Sequence, residues 1–132
     1  MTVFGAALAC CAALAGGALA ASMDFRERPS SPEAVGTQPR SVAAADLDGD
    51  GDQDLAVANE LSEDVTILRN NGSGGFSEHP SSPEPVGGEP RSIVVADLDA
   101  DGDQDLATAN ERSNNVTILR NNGTGSFSEH PS

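Results

Sequence analysis

The stretch SVAAADLDGDGDQDLAVAN, Ser41 to Asn59, sets two short apolar runs around an acidic centre. The first run, Ser41 to Asp48, and the second, DLAVAN from Asp54, are too short for helices and read as buried strands. Between them Asp46, Asp48, Asp50, Asp52 and Asp54 stand at alternate positions. A chain that turns here must hold five carboxylates in one bend. Two carboxylates about 4 Å apart repel by about 4 kcal/mol at an effective dielectric of about 20. The bend is therefore expected to be ordered by something positive.

Working outward, the same pattern returns 51 residues later as SIVVADLDADGDQDLATAN, with Asp97, Asp99, Asp101, Asp103 and Asp105. Phe25 to Gly75 aligns without a gap on Phe76 to Ser126, and 36 of the 51 positions are identical. Such a period marks a repeat architecture. It divides the chain into a first repeat, 23–75, a second, 76–126, and the start of a third, truncated repeat at 127–132. Each unit also holds VTILRNNG (Val65 to Gly72, Val116 to Gly123), an alternating run that meets Asn-Gly, the strongest short hairpin signal. A last run starts at each Phe, and the Ser-Ser-Pro-Glu segments read as linkers. The expected fold is all-β: two four-stranded antiparallel propeller-like blades, an incomplete β-propeller preceded by a signal segment. Ala43, Ala44 and Ala45 suit close approach of one sheet to the next.

Composition narrows the function. The chain has 132 residues, 7 Lys and Arg against 21 Asp and Glu, and a formal charge of −14. A nucleic-acid partner would require a basic surface and is excluded. Residues 1–22 carry no charge, are rich in Ala, Leu and Gly, and offer a small-residue cleavage site at Ala18-Leu19-Ala20. They read as a secretory signal peptide and imply a secreted, extracellular chain. Their low Leu and Ile content argues against a retained membrane anchor. Ala7-Leu8-Ala9 before Cys10 makes a poor lipoprotein signal. Both cysteines, Cys10 and Cys11, lie inside this segment, so the mature chain has no disulfide to hold a small domain together.

Ligand order points to a hard dication. Side chains at positions one, three and five of each loop can converge on a centre, glycine at six (Gly51, Gly102) permits the bend, position seven (Asp52, Asp103) offers its carbonyl, and nine (Asp54, Asp105) closes the shell. An EF-hand requires a bidentate Glu at position twelve, where this chain has Val57 and Thr108. Ala100 replaces Gly49, which is compatible with the fold only if that position avoids the left-handed region. His79 and His130 read as surface residues. Asn71, Asn115 and Asn122 match the glycosylation sequon, the first and third within the hairpin signal.

PRSVAAADLDGDGDQDLAVAN followed by VTILRNNGSGGF, and its second copy, resemble the FG-GAP/VCBS repeat family. The resemblance implies integrin-α-like β-propeller blades with Ca²⁺ in the loop between the first two strands, about two ions per chain. The family's metal ligands fall on the ten loop aspartates. It further implies a non-enzymatic module for adhesion or for recognition of a protein or glycan ligand. The alternative is an accessory repeat region of a larger exported polysaccharide-active enzyme. Two complete blades cannot close a ring that takes roughly four to eight, and their open faces suggest self-association.

Overall fold

A computed structural model of the chain describes residues 31–130. The expected signal segment and residues 23–30 of the first repeat lie outside the described residues, as do 131 and 132. Every regular element among the described residues is a strand. The order is β1 (Pro39–Ala45), β2 (Asp54–Asn59), β3 (Asp64–Asn70), β4 (Phe76–Glu78), β5 (Glu84–Pro85), β6 (Pro90–Ala96), β7 (Asp105–Asn110), β8 (Asn115–Asn121) and β9 (Phe127–Glu129).

Two antiparallel meanders result, β1-β2-β3-β4 and β6-β7-β8-β9, with β5 attached to β3. Registers repeat with the sequence: Ala45 faces Asp54 and Leu55 faces Leu68 in the first sheet, Ala96 faces Asp105 and Leu106 faces Leu119 in the second. The DLAVAN run is a strand along its whole length. The Asn-Gly hairpin forms through a longer loop, with Gly72 and Gly74 at φ of +72° and +79°, a region that costs glycine little.

The blade boundaries differ from the repeat frame. Phe76–Glu78 pairs with β3 and completes the first sheet, and Phe127–Glu129, read above as the start of a third unit, pairs with β8 and completes the second. The repeat frame cuts each sheet one strand too early, before Phe76 and before Phe127, because the last strand is joined to its sheet by the hairpin that precedes it. The Ser-Ser-Pro-Glu segment is likewise more than a linker. Ser82 Oγ accepts the Ile67 amide at 3.1 Å, and Glu84 pairs with Val65.

The blades stack face to face. Leu47, Ala56, Ala58, Val65 and Ile67 of the first form one core with Ile93, Leu106 and Leu119 of the second, and Ala43 and Ala45 pack against it. Ala44 points the other way and is exposed. Period-two alternation explains the selection, since Ala56 pairs with Ile67 and Ala58 with Val65 on one face of their sheet. The two sheets do not close into a ring.

Candidate metal centre

Both acidic loops join the first strand of a blade to the second, β1 to β2 and β6 to β7. Position nine anchors each loop. Asp54 is fully buried, and its carboxylate accepts the amides of Leu47 at 2.9 Å and Asn70 at 2.8 Å. Asp105 repeats this with Leu98 at 2.9 Å and Asn121 at 2.8 Å. One carboxylate thus fastens the start of its own loop to the end of the third strand. Burial pushes the Asp54 carboxyl above the usual carboxylate range; the two amide hydrogen bonds pull the other way, and the charges of Asp48 and Asp50 add to the push.

The remaining acids fold the loop onto itself. Asp46 accepts the amides of Gly49 at 2.8 Å and Gly51 at 3.0 Å, and Asp50 accepts that of Asp52 at 2.9 Å. In the second loop Asp97 accepts the amides of Asp101 at 3.2 Å and Gly102 at 3.0 Å. Carboxylate oxygens of Asp46, Asp48 and Asp50 lie within 4.8 Å of one another, as do those of Asp97, Asp99 and Asp105. One centre at the Ca²⁺–oxygen distance of about 2.3–2.6 Å reaches oxygens so spaced. The donor set is all oxygen, which is the chemistry a hard dication requires.

Not every aspartate joins these clusters. Asp54 stands outside the three-carboxylate group of the first loop and Asp101 outside that of the second, although Asp54 and Asp105 accept equivalent pairs of backbone amides. Asp52 and Asp103 turn their side chains toward the hairpin glycines. A Cβ on Gly72 would meet Asp52 Oδ2 at 2.5 Å, and one on Gly123 would meet Asp103 Oδ2 at 2.7 Å. Both arrangements place the position-seven carboxylate beside the hairpin.

Two residues at the site were not singled out by sequence reasoning. Arg69 Nε donates to Asp48 Oδ2 at 2.5 Å, and Arg120 pairs with Asp99. Their signal was available, because each Arg stands 21 positions after the aspartate it meets. The expectation for Ala100 is overturned. It adopts φ +64°, and Gly49 adopts φ +78°, so the loop requires a left-handed residue here and the second copy bears the strain of a Cβ. His79 is also not a surface residue. It is buried, its Nδ1 accepts the Ser81 amide at 3.1 Å, and its ring lies against Gly125. His130 is exposed.

Four-stranded sheets stacked face to face, each with an acidic loop between its first two strands, define an all-β repeat protein of two unclosed, propeller-like blades. The FG-GAP-like repeat family model matches residues 46–108 and again 97–132, and the chain belongs to that family. No curated protein and no solved structure matches the chain.

Proposed function

We propose that the chain is an exported, non-enzymatic binding module whose blades are held in shape by Ca²⁺, about one ion in each acidic loop, and whose surface serves adhesion or recognition of a protein or glycan ligand. The carrying observation is the convergence of three carboxylates to within 4.8 Å in each loop. Asp46, Asp48 and Asp50 would hold the ion in the first loop, and Asp97, Asp99 and Asp105 in the second. Export is supported by the uncharged first 22 residues. Membership of the FG-GAP-like repeat family supports a module built for display of loops.

The physical role of the ion is neutralisation. The core between the blades is small and rich in alanine, and no cysteine follows residue 22. A ligand that binds the folded chain and not the unfolded one stabilises it by mass action. Extracellular calcium modules bind in the range of about 10⁻⁴–10⁻³ M, so both loops would be filled outside a cell. Calorimetric titration with Ca²⁺ tests the reading. Saturable uptake near two ions is expected, falling to one in Asp48→Asn and in Asp99→Asn and to none in the double variant. Uptake that is absent, or indifferent to both substitutions, would remove calcium from the account.

A further inference from the structure

The same residues are covered in one blade and bare in the other. Leu47, Val65 and Ile67 are 1%, 0% and 0% exposed, whereas Leu98, Val116 and Ile118, each 51 positions on, are 48%, 61% and 37% exposed. The reverse holds on the opposite face, where Ile93 is 5% exposed and its counterpart Val42 is 60%. Sequence does not explain the difference, since three of these four pairs are identical. Position in the stack does. The first blade covers one face of the second, and the outer face of the second is left with the apolar set that the first blade buries.

Two hollows mark that outer face. One, lined by Arg91, Ala109, Glu111 and Val116 among others, has a volume of about 380 Å³; the other, lined by Leu98, Asp99, Ile118, Arg120 and His130 among others, about 170 Å³. Their counterparts on the first blade are occupied. Arg91 reaches across from the second blade to Glu60 at 3.1 Å while holding Glu111 of its own blade at 2.5 Å. Gly125 of the second blade abuts His79, and the Ile93 amide donates to Ser41 Oγ at 3.3 Å.

We propose that the outer face of the second blade binds the outer face of the first blade of a second copy of this chain, head to tail, repeating the junction between its own blades. One chain carries both halves of that junction. Arg40 already holds Glu60 of its own blade, as Arg91 holds Glu111, so Arg40 of the incoming copy is placed to bridge to Glu111. Asn70 of the incoming copy meets the Leu98 carbonyl, as Asn121 meets that of Leu47 at 2.8 Å. Gly74 seats against His130 and Val42 against the apolar face. Among the described residues, the one charged contact between the blades without a counterpart is Arg112 with Glu63, 3.0 Å apart, which becomes Leu61 with Asn114. The contact is heterologous, so it builds closed rings when the rotation between copies closes. Rings of roughly four to eight blades correspond to roughly two to four chains.

The test is mass by light scattering of the full chain in millimolar Ca²⁺ over a wide range of concentration. A species of two to four chains is expected. Val116→Glu and Val42→Glu each alter an exposed residue on opposite faces, and each alone is expected to be a folded monomer by circular dichroism. Mixed, they retain one intact junction and are expected to stop at two chains. A monomer at every concentration overturns the proposal and leaves the face to a further repeat or a foreign partner. So does a mass unchanged by both variants, or a mixture that remains monomeric. Calcium uptake by the Val116→Glu monomer is measured alongside. A chain that binds calcium yet never assembles refutes the docking alone, whereas assembly without uptake supports docking and refutes the calcium reading.

Discussion

The side-chain amide of Asn121 donates to the carbonyl of Leu47 at 2.8 Å, joining the third strand of one blade to the acidic loop of the other. The same amide donates to Gln104 at 3.0 Å, and its oxygen accepts the amides of Gly123 at 3.1 Å and Gly125 at 3.2 Å. Asn121 thus fixes a hairpin, its own acidic loop and the neighbouring loop at once. Its counterpart Asn70 donates to Gln53 and accepts from Gly72, with no reach to another blade among the described residues.

Asn121→Ala is expected to cost more stability than Asn70→Ala. Leaving a buried donor or acceptor unpaired costs about 1–3 kcal/mol, and Asn121 is the more buried, with more partners. Urea denaturation of the two variants in the Val116→Glu background, where Asn70 has no second copy to meet, checks the order at one calcium concentration; equal losses there would show that the bond between blades contributes nothing.

Removing the arginine beside a loop is expected to tighten cation binding. Arg69 holds Asp48 at 2.5 Å and places a positive charge next to the position a dication would take. Arg69→Gln lowers that repulsion, so calcium affinity should rise several-fold, while the chain without calcium melts lower because Asp48 has lost its partner. Calorimetry and thermal melting with chelator read the two effects separately.

Ala100→Gly is expected to stabilise the chain by about 1 kcal/mol, the lower end of the cost of a left-handed non-glycine residue. Gly49→Ala is expected to destabilise it by a similar amount, since Gly49 holds φ +78° and a Cβ there bears the same strain. Chemical denaturation at saturating calcium measures both changes, and the number of ions bound should not alter.

Acid is expected to loosen the junction between blades at Glu60. The hydrogen bond from Arg40, together with the charges of Arg40 and Arg91, holds its carboxyl below the usual carboxylate range. A lowered folded-state value contributes stability that is present above the unfolded value, about 4.3, and is lost as pH falls through the folded one. Glu60→Gln should therefore be less stable than the parent at pH 7, with the difference vanishing below that window. A difference constant from neutral to strongly acidic pH would contradict the ion pair.

Much of the architecture was legible because the strands are local. DLAVAN and VTILRN carry β-type patterning, turn residues bound them, and the repeat requires the second copy to follow the first. The loop clusters were legible from aspartates at alternate positions. What escaped depends on distant partners. Glu84–Pro85 forms a strand only because Val65 presents an open edge to it, and no composition rule marks Ser-Ser-Pro-Glu as β. His79 and His130 share the sequence Ser-Glu-His-Pro, yet one is buried and the other exposed, because only His79 has a further blade laid over it. The left-handed state of Ala100 follows from the loop's closure, which overrides the preference of a residue with a Cβ.

The near-identity of the two meanders gives β1 two chemically equivalent mates while the chain is still unfolded, β2 and β7. What separates them is contour length, since Ala45 and Asp54 are nine residues apart, whereas Ala45 and Asp105 are sixty apart. Loop-closure entropy favours the nearer mate by on the order of 2 kcal/mol, so the correct pairing is selected by which hairpin zips first. Fidelity of assembly is therefore written into the shortness of the acidic bends as much as into the side chains they carry.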